Sequence, residues 1–196
     1  IQAKRSTEEF RTLGVGIVNL ADFHAQLGVK YGEKLGLEYV NRWMELLSYG
    51  LIKSSNDLAK VYGKCGKSDS TCYGQGKFPW EYRHKNIDKV VTKGAYLPEW
   101  EELRPSIKKH GIRNATLMAV APTESSAQVL NATNGMEMPK APMVIKASKS
   151  GHFKQVVPDP SLTYQYLWDQ KSPRPYLATA AVMQKWVDQG LSTNTA

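Results

Sequence analysis

The residues best suited to chemistry are Pro122, Thr123, Glu124, Ser125 and Ser126, a hydroxyl-rich turn placed between an apolar run and a new helical period. The first four amides of a helix have no acceptor inside it and share the positive end of its dipole, so phosphate binds well there. Thr123 is the expected N-cap, Glu124 falls in the first turn, and the Ser125 and Ser126 hydroxyls add donors beside the amides. An ordinary capped helix selects the same residue types, so the pattern alone leaves both readings open.

Other motifs carry less. There is no GxxxxGK[ST] loop, and the GVG at 14–16 lacks the third glycine of a dinucleotide fingerprint. His24, His84, His110 and His152 are scattered and form no ligand set, so no metal site is expected. Cys65 and Cys72 are spaced wider than a CxxC pair and read as reduced loop thiols. Trp43, Trp100, Trp168 and Trp186 sit at helical spacing, where packing is the expected role. The sequons at Asn114 and Asn131 lose their meaning in a cytoplasmic chain.

The elements that must position the turn follow from periodicity. Residues 12–20 and 112–121 are apolar, β-branched runs that suit strands buried on both faces. A short helix is expected over 21–28 and a long amphipathic one over 33–62, on the recurrence of Leu35, Val40, Met44, Leu47, Leu51, Leu58 and Tyr62. Residues 63–97, rich in glycine, read as an extended loop. Pro98 opens a charged helix ending near Gly111. Helical period resumes over 123–131, a hairpin is expected over 143–159 around Ser150 and Gly151, and helices over 161–170 and 176–192 flank Pro173 and Pro175.

Apolar residues at 41% and charged residues at 22% give a globular balance. The formal charge of +8 is dispersed among acids and reads as a solvated surface, not a nucleic-acid face. No apolar stretch reaches the roughly 20 residues of a membrane span, and there is no signal peptide, so a cytoplasmic location is expected. Both ends look cut, and 1–196 reads as one segment of something larger.

In order, RTLGVGIVNLADF (11–23), GIRNATLMAVAPTESSAQVLNATNGME (111–137), VIKASKSGHFKQVVPD (144–159) and VMQKWVDQGLSTNT (182–195) resemble the large, catalytic subunit of class I ribonucleotide reductase along almost the whole chain. The resemblance implies an α/β fold, the C-terminal portion of a ten-stranded barrel, and a role in reducing ribonucleoside diphosphates to deoxyribonucleotides for DNA synthesis. It implies that Pro122, Thr123, Glu124, Ser125 and Ser126 hold the substrate diphosphate. It places the radical cysteine and its Asn and Glu neighbours, with one of the two active-site cysteines that supply electrons and its partner, before Ile1, and the radical-pathway tyrosines and shuttle cysteines after Ala196. Cys65 and Cys72 match none of these, and no catalytic residue is assigned to the chain.

By the same resemblance the segment itself binds no cofactor. The whole enzyme draws a radical from a metal-containing small subunit and responds to ATP and dNTP effectors at an allosteric site elsewhere. The implied partners are the N-terminal portion of the large subunit, the small (beta) subunit, a ribonucleoside diphosphate, and thioredoxin or glutaredoxin as reductant, with no membrane and no nucleic acid. The alternative is a non-catalytic phosphate- or nucleotide-binding module derived from that fold.

Overall fold

The computed structural model describes every residue except 149, 150, 195 and 196. In chain order it has helices α1 (Gln2–Phe10), α2 (Leu20–Leu27), α3 (Lys34–Tyr62), α4 (Pro79–Tyr82), α5 (Glu99–His110) and α6 (Ser125–Val129). Strands β1 (Met143–Ser148) and β2 (Gly151–Val156) and helix α7 (Arg174–Gln184) follow.

The α2, α3 and α5 expectations hold within a residue or two. α5 carries Glu99, Glu101 and Glu102 in its first turn and Lys108, Lys109 and His110 in its last, both favourable to the helix dipole. Gly111 ends it at φ +73°, and a Cβ there would stand 2.7 Å from Ser68 Oγ, so both backbone and space require glycine.

The two buried strands are corrected. Residues 12–20 and 112–121 meet through a single parallel bridge, Val15 to Met118, with Val15 N donating to Leu117 O and Ala119 N to Val15 O. Thr12, Leu13, Gly14 and Gly16 are exposed, so the first run is not covered on both faces. With no further strand beside them among the described residues, the two runs share one bridge and form no ladder. The hairpin is present and antiparallel, from Met143↔Val156 to Ser148↔Gly151. Its expected turn at Ser150 lies outside the described residues.

The last two helices are also corrected. Only Leu167–Asp169 forms a helical turn in 161–170, because Tyr164 and Leu167 are held by long-range bonds, to Asp22 and to Pro139 O. α7 ends at Gln184 because the next residues are taken by other partners. Arg83 and the Gln184 side chain both donate to Val187 O and Gln189 O. The 63–97 segment holds helical turns at Ser68–Ser70, Pro79–Tyr82 and Lys85–Lys89. Trp100 and Trp186 are buried as expected, but Trp43 and Trp168 are exposed, at 39% and 70%.

The chain groups into two compact units, each discontinuous in sequence. The first comprises 1–15, 38–119 and 181–191, and the second 16–37, 120–180 and 192–196. The first is centred on Trp100, whose ring meets Phe78 at 4.6 Å and stacks on Trp186 at 6.3 Å. The second holds the turn at 122–126.

In the second unit His24 is 2% exposed and packs edge-on against Tyr31 at 4.4 Å, with neither ring nitrogen bonded among the described residues. Burial pulls its imidazole down to about 4. Folding therefore excludes a proton that the unfolded chain accepts near pH 6.5, so this contribution is complete above that pH and fades as pH falls toward 4. The stability lost by pH 4.5 is about 2 kcal/mol. His24→Phe should flatten the acid side of the melting-temperature profile between pH 7 and 4.5. An unchanged slope would show that other groups set the acid sensitivity.

Candidate phosphate-binding site

Val120 is buried at 1%, and the chain then surfaces: Pro122 and Thr123 are half-buried, while Glu124, Ser125 and Ser126 are exposed. Ala127, fully buried, anchors the start of α6 beneath them. α6 is shorter than the 123–131 expected, because Asn131 adopts φ +49° and closes it. Ala132 N donates to Ala127 O and Asn131 N to Gln128 O, the paired bonds of a Schellman end.

The capping expectation is corrected as well. Glu124, not Thr123, is the N-cap, with no side-chain cap bond. The Thr123 hydroxyl instead accepts Gly135 N at 2.8 Å, which ties the turn to the 131–135 segment. Ser125 is therefore the first helical residue. In five residues there is little macrodipole, so attraction for an anion must come from the Ser125, Ser126 and Ala127 amides, which have no acceptor within the helix.

Gly135 sits at φ +46°, and a Cβ on it would lie 3.2 Å from Ala121 O, so it permits the close approach of the two loops. On its other side the same segment clasps the residues before α2. Asn19 N donates to Thr133 O, Thr133 N to Asn19 Oδ1, and Leu20 N to Gly135 O. Asn19, itself at φ +73°, also donates to Asp22, whose other oxygen takes the Tyr164 hydroxyl. The segment NATNG thus joins three pieces of chain far apart in sequence.

Lys146, on β1, places Nζ 2.8 Å from Glu124 Oε1. The Asn134 amide, oriented to satisfy both neighbours, donates to Thr123 O at 3.2 Å and accepts from Lys146 Nζ at 3.1 Å. The lysine beside it holds the Glu124 carboxyl below the usual carboxylate range. A cavity of about 780 Å³ adjoins, with Glu124, Asn134, Lys140, Lys146, Lys171 and Trp168 in its wall. Glu137 also faces it, its carboxyl raised by burial.

The structure brings together all five residues singled out in the sequence, since they are contiguous. Sequence reasoning missed Asn19, Asn134, Gly135 and Lys146. An Asn-Gly pair beside a phosphate-type turn, and a lysine on the inward face of a strand, were the available signals. Cys65 is buried and Cys72 exposed, both are free, and burial raises the Cys65 thiol, so it is a poor nucleophile. Among the described residues no three His, Cys, Asp or Glu side chains gather as a metal site, and no helix is long and apolar enough to cross a membrane.

The chain is 41% identical over 98% of its length to ribonucleoside-diphosphate reductase 1 subunit alpha of Salmonella typhimurium. It is 40% identical to that of Escherichia coli, and 41% identical over 94% of its length to the subunit alpha of Enterobacteria phage T4. It spans about a quarter of the length of these relatives. Residues 1–172 match the family described as ribonucleotide reductase, barrel domain, and the chain belongs to that family.

Proposed function

We propose that this chain supplies the substrate-diphosphate loop of a ribonucleoside-diphosphate reductase large subunit. The observation that carries it is the turn at 123–126, which presents first-turn amides and two serine hydroxyls to solvent in a chain of this family. Pro122 shapes the entry, Thr123 fixes the turn to Gly135, and the Ser125 and Ser126 amides and hydroxyls donate to the diphosphate. The Glu124 side chain supplies no donor and stands among them as a paired anion, leaving its backbone amide as what it can offer the diphosphate.

The rest of the large subunit would complete the active site and bring the radical cysteine. A small subunit would generate the radical at its metal, and thioredoxin or glutaredoxin would return electrons after each reduction. ATP and dNTP effectors would act elsewhere on the whole subunit, in the cytoplasm.

The test separates amides from side chains. Ser125→Pro deletes an amide donor at the first helical position and also disfavours the ψ of −69° that Glu124 holds before it, so circular dichroism and Ser125→Ala serve as its controls. In an enzyme reconstituted with the remaining large-subunit sequence and the small subunit, it should weaken diphosphate-substrate binding by more than about tenfold, over 1.4 kcal/mol. Ser125→Ala keeps the amide, and Ser126→Ala removes one hydroxyl donor, so each should lose about tenfold or less. If Ser125→Pro binds like the parent, with circular dichroism unchanged, the amides do not hold the diphosphate.

A further inference from the structure

The phosphate loop contains an acid, and that needs an explanation. Two like charges about 4 Å apart repel by about 1 kcal/mol even in water and by more where solvent is partly excluded. The Glu124 carboxylate, within two residues of the proposed Ser125 and Ser126 donors, is therefore in the wrong place unless its charge is cancelled.

We infer that Lys146 is a positioning residue for this loop, cancelling the Glu124 charge and, through Asn134, fixing the Thr123 carbonyl so that the Ser125 and Ser126 donors can accept an anionic diphosphate. The inference rests on the reading of the loop given under Proposed function. Three observations carry it. The Lys146 side chain is only 20% exposed, low for a lysine, whereas that of Glu124 is 68% exposed, so the strand brings the cation to the acid and holds it there. Its Nζ bridges two segments, meeting Glu124 Oε1 at 2.8 Å and the Asn134 oxygen at 3.1 Å. Asn134 in turn donates to Thr123 O, and the neighbouring Gly135 N donates to Thr123 Oγ1, so the residue before Glu124 is gripped at carbonyl and hydroxyl.

An isolated exposed ion pair would contribute little to stability. The effect here falls on ligand affinity instead, because removing the lysine exposes a bare carboxylate to an incoming polyanion. It also differs from direct phosphate binding by lysine: a cation already engaged by a carboxylate and an amide oxygen acts by removing repulsion, not by serving as the ligand.

The two mechanisms part in a charge-neutralising double-mutant cycle on the reconstituted enzyme, read as KM for a ribonucleoside diphosphate. Lys146→Met should raise KM by about tenfold and lower kcat much less. Lys146→Arg, which keeps the charge, should stay near the parent. Glu124→Gln alone should lower KM by a few-fold, since it removes the acid and frees the cation. The Lys146→Met, Glu124→Gln double variant should recover most of what Lys146→Met lost.

If Glu124→Gln fails to rescue Lys146→Met, charge cancellation is wrong and Lys146 either touches the diphosphate or only supports the hairpin. Should Lys146→Met not fold, Glu124→Gln still decides, because a rise in its KM contradicts the inference. Ser125→Pro reports on the loop itself: if it weakens binding while Lys146→Met does not, this inference falls alone. If neither weakens binding, the reading of the loop falls with it.

Discussion

Mixed with ribonucleoside diphosphate, a radical-bearing small subunit and a dithiol reductant, these 196 residues alone are expected to form no deoxyribonucleotide. The chemistry proposed for the family needs a cysteine that can become a radical beside a pair that supplies electrons. The chain has two cysteines. Cys65 is buried with its thiol raised by burial, Cys72 is exposed, and neither lies in the second unit, where the phosphate loop sits. The sequence covers about a quarter of the length of its relatives, and on the proposed function those groups would come from the rest of a large subunit. Adding the complementary part of a large subunit should bring activity from background to a measurable rate, and Cys65→Ser with Cys72→Ser should change that rate by no more than about twofold, under roughly 0.5 kcal/mol of barrier. Turnover by the purified chain alone, surviving removal of contaminating enzyme, would mean that the catalytic groups have been misplaced.

How much of this was legible in sequence depends on what each signal measures. Periodicity gave α3 within a residue at its start, because a long helix averages over many side chains. It gave the phase only in part: Val40 and Met44 are buried and Leu47 and Leu51 half-buried. Leu35, Leu58 and Tyr62, counted as the apolar stripe, are exposed, while the buried side includes Asn41, Glu45, Ser48, Ser55 and Asn56. Each of those polar residues is satisfied by a partner far along the chain: Asn41 by the Trp186 indole, Glu45 by the Tyr96 and Leu97 amides, Ser48 by Trp186 O, Ser55 by Asn114, Asn56 by Gly111 O. Hydropathy cannot register a polar group that is buried because its hydrogen bonds are met at long range.

The same limit applies at the candidate site. Residues 122–126 were found because capping chemistry is local, but Thr123 was given a local role, the N-cap, when its hydroxyl serves Gly135 twelve residues on. The pairing of Lys146 carries no local signal in the sequence, since its partner Glu124 is reached only once the hairpin folds back. The strands at 12–20 and 112–121 were overread for a related reason. Apolar β-branched runs report a preference for extended backbone, which both have, while a ladder requires neighbours on each side.

Glu45 is the buried polar residue whose loss should cost the fold most. It is 1% exposed on α3, and its carboxylate gathers the segment leading into α5. Tyr96 N lies 2.7 Å and Leu97 N 2.9 Å from Oε1, and the Trp100 indole N–H donates to the same oxygen at 3.0 Å. Trp100 is itself 1% exposed, so one side chain satisfies two backbone amides and the ring at the centre of the first unit. Glu45→Ala leaves all three donors without an acceptor, at about 1 to 3 kcal/mol each where water cannot reach them. Partial hydration should bring the total to about 3 to 5 kcal/mol, or roughly 10 °C or more in melting temperature for a chain of this size. Glu45→Gln retains one oxygen for the Tyr96 and Leu97 amides but turns an NH2 toward the donors, so it should lose about half as much. Hydrogen exchange at the Tyr96 and Leu97 amides gives the local readout, since both should lose protection in Glu45→Ala before the amides of α3 do. A shift under about 2 °C, with those amides still protected, would show that the segment is held by the Trp100 packing against Phe78 and Trp186 and not by the carboxylate.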